Sequence, residues 1–275
     1  LAGDCCLGQA AQALLEGERI LIVTGFCIRD AMIGENDGLS GSLALADALR
    51  RLGKDVMLLT DRHSIALLEA ASPLFGDSLP IALLSQDQAR ADGEIDNLLD
   101  TFSPTHVVAI ERPGNAPDGH RYSMRGEILD DLVPAADRLF SPPFTRLHTT
   151  IAIGDGGNEL GLGALRERLK QHVAHGELVF CATPADYVIA AGTSNWGAHA
   201  LVAALSLLSK HRLLRAPVHE HAVLEALLAA GAVDGLTKRA ELSVDGIGWN
   251  DYAKTLEAMH QLIDKRFSHP NYPTE

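Results

Sequence analysis

Two carboxylates and a carboxamide crowd into five positions of one glycine-rich turn, where Asp155, Asn158 and Glu159 follow the apolar residues 149–153. If that apolar run is a parallel strand, these groups lie just beyond its carboxyl end, which is where open α/β sheets bind ligands. Clustered oxygen atoms are the ligands that hard divalent cations prefer, and neighbouring glycines let the backbone approach a bound ion. The pattern indicates a metal site, and a helix-capping turn is its structural alternative.

Polar side chains also follow three other predicted strands. They are Asn36 and Asp37 after the first strand, Glu111 and Arg112 after the fourth, and Ser194 and Asn195 after the sixth. Because the carboxyl ends of parallel strands share one edge of a sheet, we expect the four loops to converge there. The predicted ligands of a Mg²⁺ or Mn²⁺ ion at that edge are Asp37, Glu111, Asp155, Asn158 and Glu159.

Each of these residues also has a simpler interpretation. Asp37 alone is typical of an Asn-Asp-Gly turn, and Glu111 alone would pair with Arg112 or Arg125. The glycine-rich turn around Ser40 opens a helix whose amides could hold a carboxylate or a phosphate, and Ser194 offers the same kind of helix start or an ordinary N-cap. It is the expected convergence of the loops that favours a functional site.

The elements that must position these loops alternate between strand and helix. Short apolar runs predict strands at residues 19–24, 55–60, 79–84, 106–110, 149–153 and 186–190. Helical patterns are predicted near residues 9–16, 42–52, 64–71, 93–102, 127–132, 162–172, 197–208, 218–230 and 250–266. This alternation predicts a doubly wound α/β fold, Rossmann-like and three-layered, with a mostly parallel sheet and helices on both faces. With no repeat or flexible linker, one domain over residues 1–275 is expected.

The composition of the chain excludes some classes of binding partner. A net charge of −13 argues against nucleic acid and against an anionic membrane surface, but leaves small anions open as ligands. No apolar run approaches the roughly 20 residues that a membrane span needs. The four cysteines form no zinc-binding or disulfide pattern and no targeting segment is recognisable, so we expect a cytoplasmic protein acting on a small molecule. The sequence leaves homo-oligomerisation open.

At this point the motifs resemble those of the D-glutamate cyclase family, specifically its carboxy-terminal catalytic domain. The matching stretches are residues 153–161, Glu111-Arg112 with residues 122–126, residues 192–197, and residues 234–239. The resemblance covers nearly the whole chain. It implies dehydration of D-glutamate to 5-oxo-D-proline with ring closure, which is the reaction of a hydro-lyase.

That reaction assigns tasks to the residues singled out above. The α-amine must be neutral to attack the γ-carboxylate, so one of the acids, with Asp155 and Glu159 foremost, would act as the base. A divalent cation held by the others would polarise the γ-carboxylate. Arg112 or Arg125 would grip the α-carboxylate, and the helix starts at Ser40 and Ser194 would add amide donors. Asn36 and Asn195 complete the expected substrate contacts.

Two other function classes stay open. The turn at residues 154–159 is similar to the last motif of haloacid-dehalogenase-type phosphatases, although Thr24-Gly25-Phe26-Cys27 lacks the aspartate nucleophile of those enzymes. A phosphatase that uses metal-activated water is therefore one alternative. A non-catalytic domain that binds a small anion on the same fold is the other.

Overall fold

Six parallel strands form the central sheet of the computed structural model, which describes residues 6–76, 79–141 and 147–269. The strands in chain order are β1 (Arg19–Thr24), β2 (Cys27–Ile28), β3 (Ile33–Gly34), β4 (Asp55–Thr60), β5 (Ile81–Leu83), β6 (His106–Ile110), β7 (Thr149–Gly154), β8 (Tyr187–Ala190), β9 (Ser243–Val244) and β10 (Ile247–Gly248). The sheet runs in the order β5-β4-β1-β6-β7-β8, and every neighbouring pair is parallel. Strand order therefore reverses between β1 and β6, as in a Rossmann-like fold.

Helices cover both faces of this sheet. They are α1 (Leu7–Glu16), α2 (Leu39–Arg51), α3 (Ile65–Ala71), α4 (Gln88–Thr101), α5 (Arg166–Leu169), α6 (Gly176–Val179), α7 (Ser194–Ser209), α8 (Pro217–Ala229) and α9 (Trp249–Phe267). In β1, Ile20 and Ile22 join the apolar core on the side of α2 and α7, whereas Leu21 and Val23 join the core beside α4. This alternation follows from the two-residue period of a strand, and it confirms the predicted three-layer architecture.

Two predicted helices are wrong. Residues 127–132 form turns instead, because their backbone bonds return to the preceding loop: the Leu129 amide donates to the Arg121 carbonyl at 2.8 Å. The apolar residues that imitate helical spacing there, Leu129, Leu132 and Val133, pack against Phe26 and Cys27. Residues 162–172 contain a 3₁₀ turn, the single-turn α5 and a second 3₁₀ turn rather than one continuous helix.

Two small hairpins lie outside the central sheet. The first pairs β2 with β3 and lies between β1 and α2, and the second pairs β9 with β10 between α8 and α9. Both were missed from the sequence because strands of two residues carry no periodicity that could be read. In the described parts of the chain, no helix has the length and apolar character required to cross a membrane.

Candidate active site

Three carboxylates meet where the strand order reverses. Asp37 lies between the β2–β3 hairpin and α2, Glu111 follows β6 and Asp155 follows β7, and one oxygen atom from each lies within 4.8 Å of the others. Asp37 and Glu111 are buried, whereas Asp155 is exposed. The predicted convergence of these three loops is therefore present, and their oxygen atoms are of the kind that Mg²⁺ or Mn²⁺ binds.

The first turn of α7 holds Asp37. The backbone amides of Ser194 and Asn195 donate to its two carboxylate oxygens, each at 2.8 Å. A helix N-terminus carries partial positive charge, so it stabilises an anion at this position. The Asn195 side chain binds backbone instead, accepting from the Gly41 amide at 2.8 Å and donating to the Asn36 carbonyl at 3.2 Å. Asn195 thus locks α7 onto α2 and orients Asp37.

Glu111 is held by the same helix. The Ser194 hydroxyl donates to Glu111 Oε2 at 2.6 Å, and Glu111 itself adopts the left-handed backbone region with φ of 45°. Gly38 makes this possible, because a Cβ atom at position 38 would lie 2.2 Å from the Glu111 Cβ. Gly38 also has a positive φ of 76°, which side-chain-bearing residues adopt only under strain. The Asn-Asp-Gly turn is therefore shaped to admit Glu111.

Glu159 has a different environment from the three converging acids. Its Oε1 accepts from the amides of Asp155 and Gly156 at 3.0 and 2.6 Å, and its Oε2 accepts from the Gly157 amide at 2.6 Å. The carboxylate closes its own turn in this way and presents Asp155 to the cleft. Asn158 next to it donates its side-chain amide to the Tyr122 carbonyl at 2.7 Å.

The two arginines proposed for substrate binding differ sharply. Arg112 is fully buried, and its guanidinium donates to Asp61, to the Pro134 carbonyl at 2.6 Å and to the Gly25 carbonyl at 3.3 Å. Arg125 is exposed and lines the cleft next to the acids. No ion pair or hydrogen bond involves the Arg125 guanidinium among residues 6–76, 79–141 and 147–269. Arg125 is thus available to a ligand, whereas Arg112 ties strand ends together.

Two more of the expected substrate contacts point away from the acids. The Ser40 hydroxyl donates to the buried Glu220 on α8. The Asn36 side-chain amide donates to the Ser243 carbonyl at 2.6 Å. Both side chains therefore bind neighbouring elements, and they support the loop that carries Asp37.

A fourth acid of the cleft, Asp245, was missed from the sequence. It lies in the turn between β9 and β10, and its carboxyl group is within hydrogen-bonding reach of those of Asp37 and Asp155. Buried Glu35, which directly follows β3, lines the same cleft. An apolar run predicts a strand only in the central sheet. The β9–β10 hairpin has no such run, so the sequence did not indicate that Asp245 belongs to the site.

Asp234 holds the segment that carries Asp245. Its Oδ1 accepts from the amides of Leu236 and Thr237 at 2.9 and 2.8 Å. Its Oδ2 accepts from the Ser243 hydroxyl at 2.5 Å and from the Gly246 amide at 2.7 Å. One buried carboxylate therefore fixes both ends of residues 235–246 against the cleft.

Crowding of acids dominates the electrostatics of the cleft. Loss of water raises the pKa of Glu111 well above its usual range, and the charges of Glu159 and Glu35 raise it further. Loss of water around its carboxyl group, together with Glu111 and Asp37, raises the pKa of Asp155 although its side chain is partly open to the cleft. Burial and Asp37 raise the pKa of Asp245 to about 8. Carboxyl groups this close together repel one another unless they bind protons or a cation, and their oxygen atoms are suitable ligands for a divalent cation.

Several of these acids line a cleft of about 240 Å³. Three cations, Arg29, Arg125 and Lys238, line the same cleft and come from three different loops. The remaining lining includes apolar side chains such as Met124 and Leu129. A cleft of this size that is lined by both acids and cations suits a small molecule that carries charges of both signs.

Comparison with known proteins shows the family of this chain. The family model described as "D-glutamate cyclase-like, C-terminal" matches residues 2–260. The chain belongs to that family. It is 33% identical over 213 residues to the human protein named "D-glutamate cyclase, mitochondrial", a match that covers 73% of this chain. The chain spans 34% of the length of that relative.

One structural comparison is much weaker. The NADPH-dependent 3-quinuclidinone reductase of Rhodotorula rubra is 14% identical, with 80% of this chain and 87% of that chain covered and a TM-score of 0.33. At that TM-score the similarity bears on neither fold detail nor function.

Proposed function

We propose that the protein is a metal-assisted hydro-lyase that converts D-glutamate to 5-oxo-D-proline and water. The convergence of Asp37, Glu111 and Asp155 at a cleft that Arg125 also lines, in a chain of the D-glutamate cyclase-like family, carries this proposal. The reaction joins the α-nitrogen to the carbon of the γ-carboxylate and expels one oxygen of that carboxylate as water. It needs a proton acceptor for the amine, a polarised γ-carboxylate and a counter-charge for the α-carboxylate.

We assign the cation site to Asp37, Glu111 and Asp155, with Mn²⁺ or Mg²⁺ as its occupant. A bound divalent cation would polarise the γ-carboxylate and stabilise the negative charge that develops there. The Ser194 and Asn195 amides hold and orient the carboxyl group of Asp37, and the Ser194 hydroxyl does the same for Glu111. Asn158 and Glu159 have their side chains engaged by backbone, so we place them in support of this site.

The chain's own residues would also move the proton. The α-ammonium must lose a proton before the nitrogen attacks, and Asp155 and Asp245 are our candidates for accepting it because both line the cleft. The nitrogen gives up two protons in all, one before it attacks and one as the amide forms. The same carboxyl group can pass both in turn to the departing oxygen of the γ-carboxylate, which then leaves as water. The α-carboxylate does not react, and we assign it to the Arg125 guanidinium.

Incubation of the chain with Mn²⁺ or Mg²⁺ and D-glutamate, L-glutamate or a generic phosphate ester tests the proposal. We expect 5-oxoproline from D-glutamate only in the presence of the cation, with no phosphate release from the ester. Phosphate release without 5-oxoproline would favour the phosphatase. Tight, metal-free binding of glutamate without turnover would favour a non-catalytic domain.

We expect the protein to function in a reducing compartment such as the cytoplasm. Cys27 and Cys181 are buried and free of disulfides within the described parts of the chain. The human relative is, by its name, mitochondrial. The mitochondrial location is a property of the human relative. Imaging of the present protein in its own cells with an antibody is the direct test of our expectation.

A further inference from the structure

Lys238 is one of two basic residues of the cleft, with Arg29, that have no role in the proposed reaction. It lies in residues 235–246, the segment fixed by Asp234, and its own φ of 60° turns the chain toward the cleft. Its ammonium donates to the Asp30 carboxylate in the β2–β3 hairpin. This pair links two loops of the cleft that are 208 residues apart in sequence.

The three cations of the cleft differ in how fully they are occupied. Arg29 makes a two-pronged contact with Asp131 at 3.0 and 2.5 Å and donates to the Ile128 carbonyl at 2.5 Å. The Lys238 ammonium has three N–H donors, and one of them binds Asp30. In the part of the chain that the structure describes, the Arg125 guanidinium has no partner. A ligand anion would therefore meet Arg125 and Lys238 before it could compete for Arg29.

Asp30 is the carboxylate that Lys238 holds. The pKa of Asp30 is lowered by the hydrogen bond and the charge of Lys238, and the positive charge of Arg125 lowers it further. The Asp30 side chain is 58% exposed, so the ion pair is weak and exchangeable. The Lys238 side chain is only 25% exposed, because it lies along the cleft wall. An incoming carboxylate can therefore replace Asp30 as the partner of Lys238, because Asp30 can turn into solvent.

We propose that Lys238 is a substrate-contact residue that exchanges Asp30 for the α-carboxylate of the amino-acid substrate and shares that carboxylate with Arg125. This inference rests on the proposed function, and it adds a requirement to it. The substrate must carry a carboxylate next to its amine, so 4-aminobutyrate, which is glutamate without that carboxylate, would bind poorly. Asp30 acts as the anion that fills the position in the absence of substrate.

Two substitutions separate this role from that of a latch between loops. In the presence of Mn²⁺, Lys238→Met should raise the Kd for D-glutamate measured by calorimetry about tenfold, since a charge-assisted hydrogen bond is lost. Asp30→Asn should lower that Kd about two- to fivefold, because the competing partner is removed. A latch would make both variants bind more weakly. Lys254→Met is the matched control, since Lys254 pairs with Asp251 on the exposed face of α9.

Binding of 4-aminobutyrate gives the second readout. Lys238→Met should leave the Kd for 4-aminobutyrate within about twofold of the wild-type value, because that ligand has no α-carboxylate to lose. Equal weakening of both ligands, no change for D-glutamate, or weaker binding by Asp30→Asn would overturn the inference. Wild-type protein that binds D-glutamate without forming 5-oxoproline would refute the proposed function alone. Wild-type protein that does not bind D-glutamate would refute both.

Discussion

The hydroxyl group of Ser194 donates a 2.6 Å hydrogen bond to the carboxylate of Glu111, which joins the start of α7 to the end of β6. The amide of the same serine donates to Asp37, which lies just before α2. The start of α7 therefore sets the distance between Glu111 and Asp37, which are 74 positions apart in the chain. This is how the fold holds like charges together before any cation is bound.

Asp155→Asn should lower kcat/KM for 5-oxoproline formation by about 10²–10³-fold, because it removes a charge needed to hold the cation and to accept a proton. Thermal stability should change little, since Asp155 is exposed and its charge is repelled by Glu111 and Asp37. Kinetics and melting temperature measured together check this. Asp251→Asn on the exposed face of α9 is the matched control, and a fully active Asp155→Asn protein would contradict the assignment.

Glu159→Gln separates structural support from proton transfer. An amide in place of the carboxylate must point its NH₂ group at a backbone N–H, so we expect a loss of about 2–3 kcal/mol in the free energy of unfolding. Denaturant titration measures it. If Glu159 were the base, the variant would instead keep its stability and lose only kcat.

Divalent cations should stabilise the protein in a pH-dependent way. Burial and neighbouring acids raise the pKa of Asp245 to about 8 and the pKa of Glu111 well above its usual range, so these groups hold protons in the metal-free folded state. The unfolded chain releases those protons near pH 4, so metal-free stability should fall as pH rises from about 4 toward 8. A cation competes with the protons, and its stabilising effect should grow over the same range.

Thermal melts of chelator-treated protein at pH 5.5 and pH 8, with and without Mn²⁺, measure this effect. We expect the rise in melting temperature to be larger at pH 8. At a cation concentration 100 times the Kd, binding contributes about 2.7 kcal/mol. A rise that is absent, or that is larger at pH 5.5, would contradict a site built from these acids.

The sequence was sufficient for the sheet and for the three acids at its edge. Residues 55–60 and 106–110 were predicted with the bounds that the structure has, because buried parallel strands are continuous apolar runs between turns. Glu111 and Asp155 could be predicted to meet because each directly follows such a run, and Asp37 because its loop also leaves the sheet at the carboxyl end of a strand, β1. The strand-end rule fixes which loops converge.

What could not be predicted is which side chain each polar group faces. Arg112 and Arg125 looked equivalent, yet one is buried against Asp61 and the other lines the cleft. Asp245 lies in a hairpin whose position depends on four hydrogen bonds to Asp234. Asp234 is 11 positions before Asp245 in the chain. Such arrangements depend on packing between distant segments, which local patterns do not encode.

Gly38→Ala should disturb the site through Glu111. The added Cβ would lie 2.2 Å from the Glu111 Cβ, and alanine at a φ of 76° is strained. We expect a loss of roughly 2 kcal/mol or more in the free energy of unfolding, together with loss of the Mn²⁺-induced rise in melting temperature. Gly53→Ala also has a φ of 76° but meets no atom within 4 Å, so it controls for backbone strain alone. Equal cation responses in the two variants would contradict a role for this close approach.

Glu220→Gln tests the buried network behind the site. Glu220 accepts from the hydroxyls of Ser40 and Tyr252, the latter at 3.0 Å, and lies 3.2 Å from the His199 ring. Burial raises its pKa, but His199 and the two hydroxyls outweigh burial and leave the pKa below its usual range. We expect the variant to lose about 3 kcal/mol at neutral pH, because a buried ionic partner is removed.

The pH dependence of that loss supplies its control. Because the folded-state pKa of Glu220 is lowered, its stabilising effect is present above about pH 4.5 and disappears as pH falls through the folded-state pKa. The melting temperatures of wild type and Glu220→Gln should therefore approach each other as the solution is acidified. A difference that is constant with pH would show that the glutamate is not ionised in the folded protein.

The most direct test of the central claim is chiral chromatography of the products that the wild-type chain forms from D-glutamate with and without Mn²⁺. We predict 5-oxo-D-proline that accumulates with added Mn²⁺, stops after chelation and is not formed by the Asp155→Asn protein. Cation-independent product, or no product under conditions in which the protein binds both Mn²⁺ and D-glutamate, would contradict it.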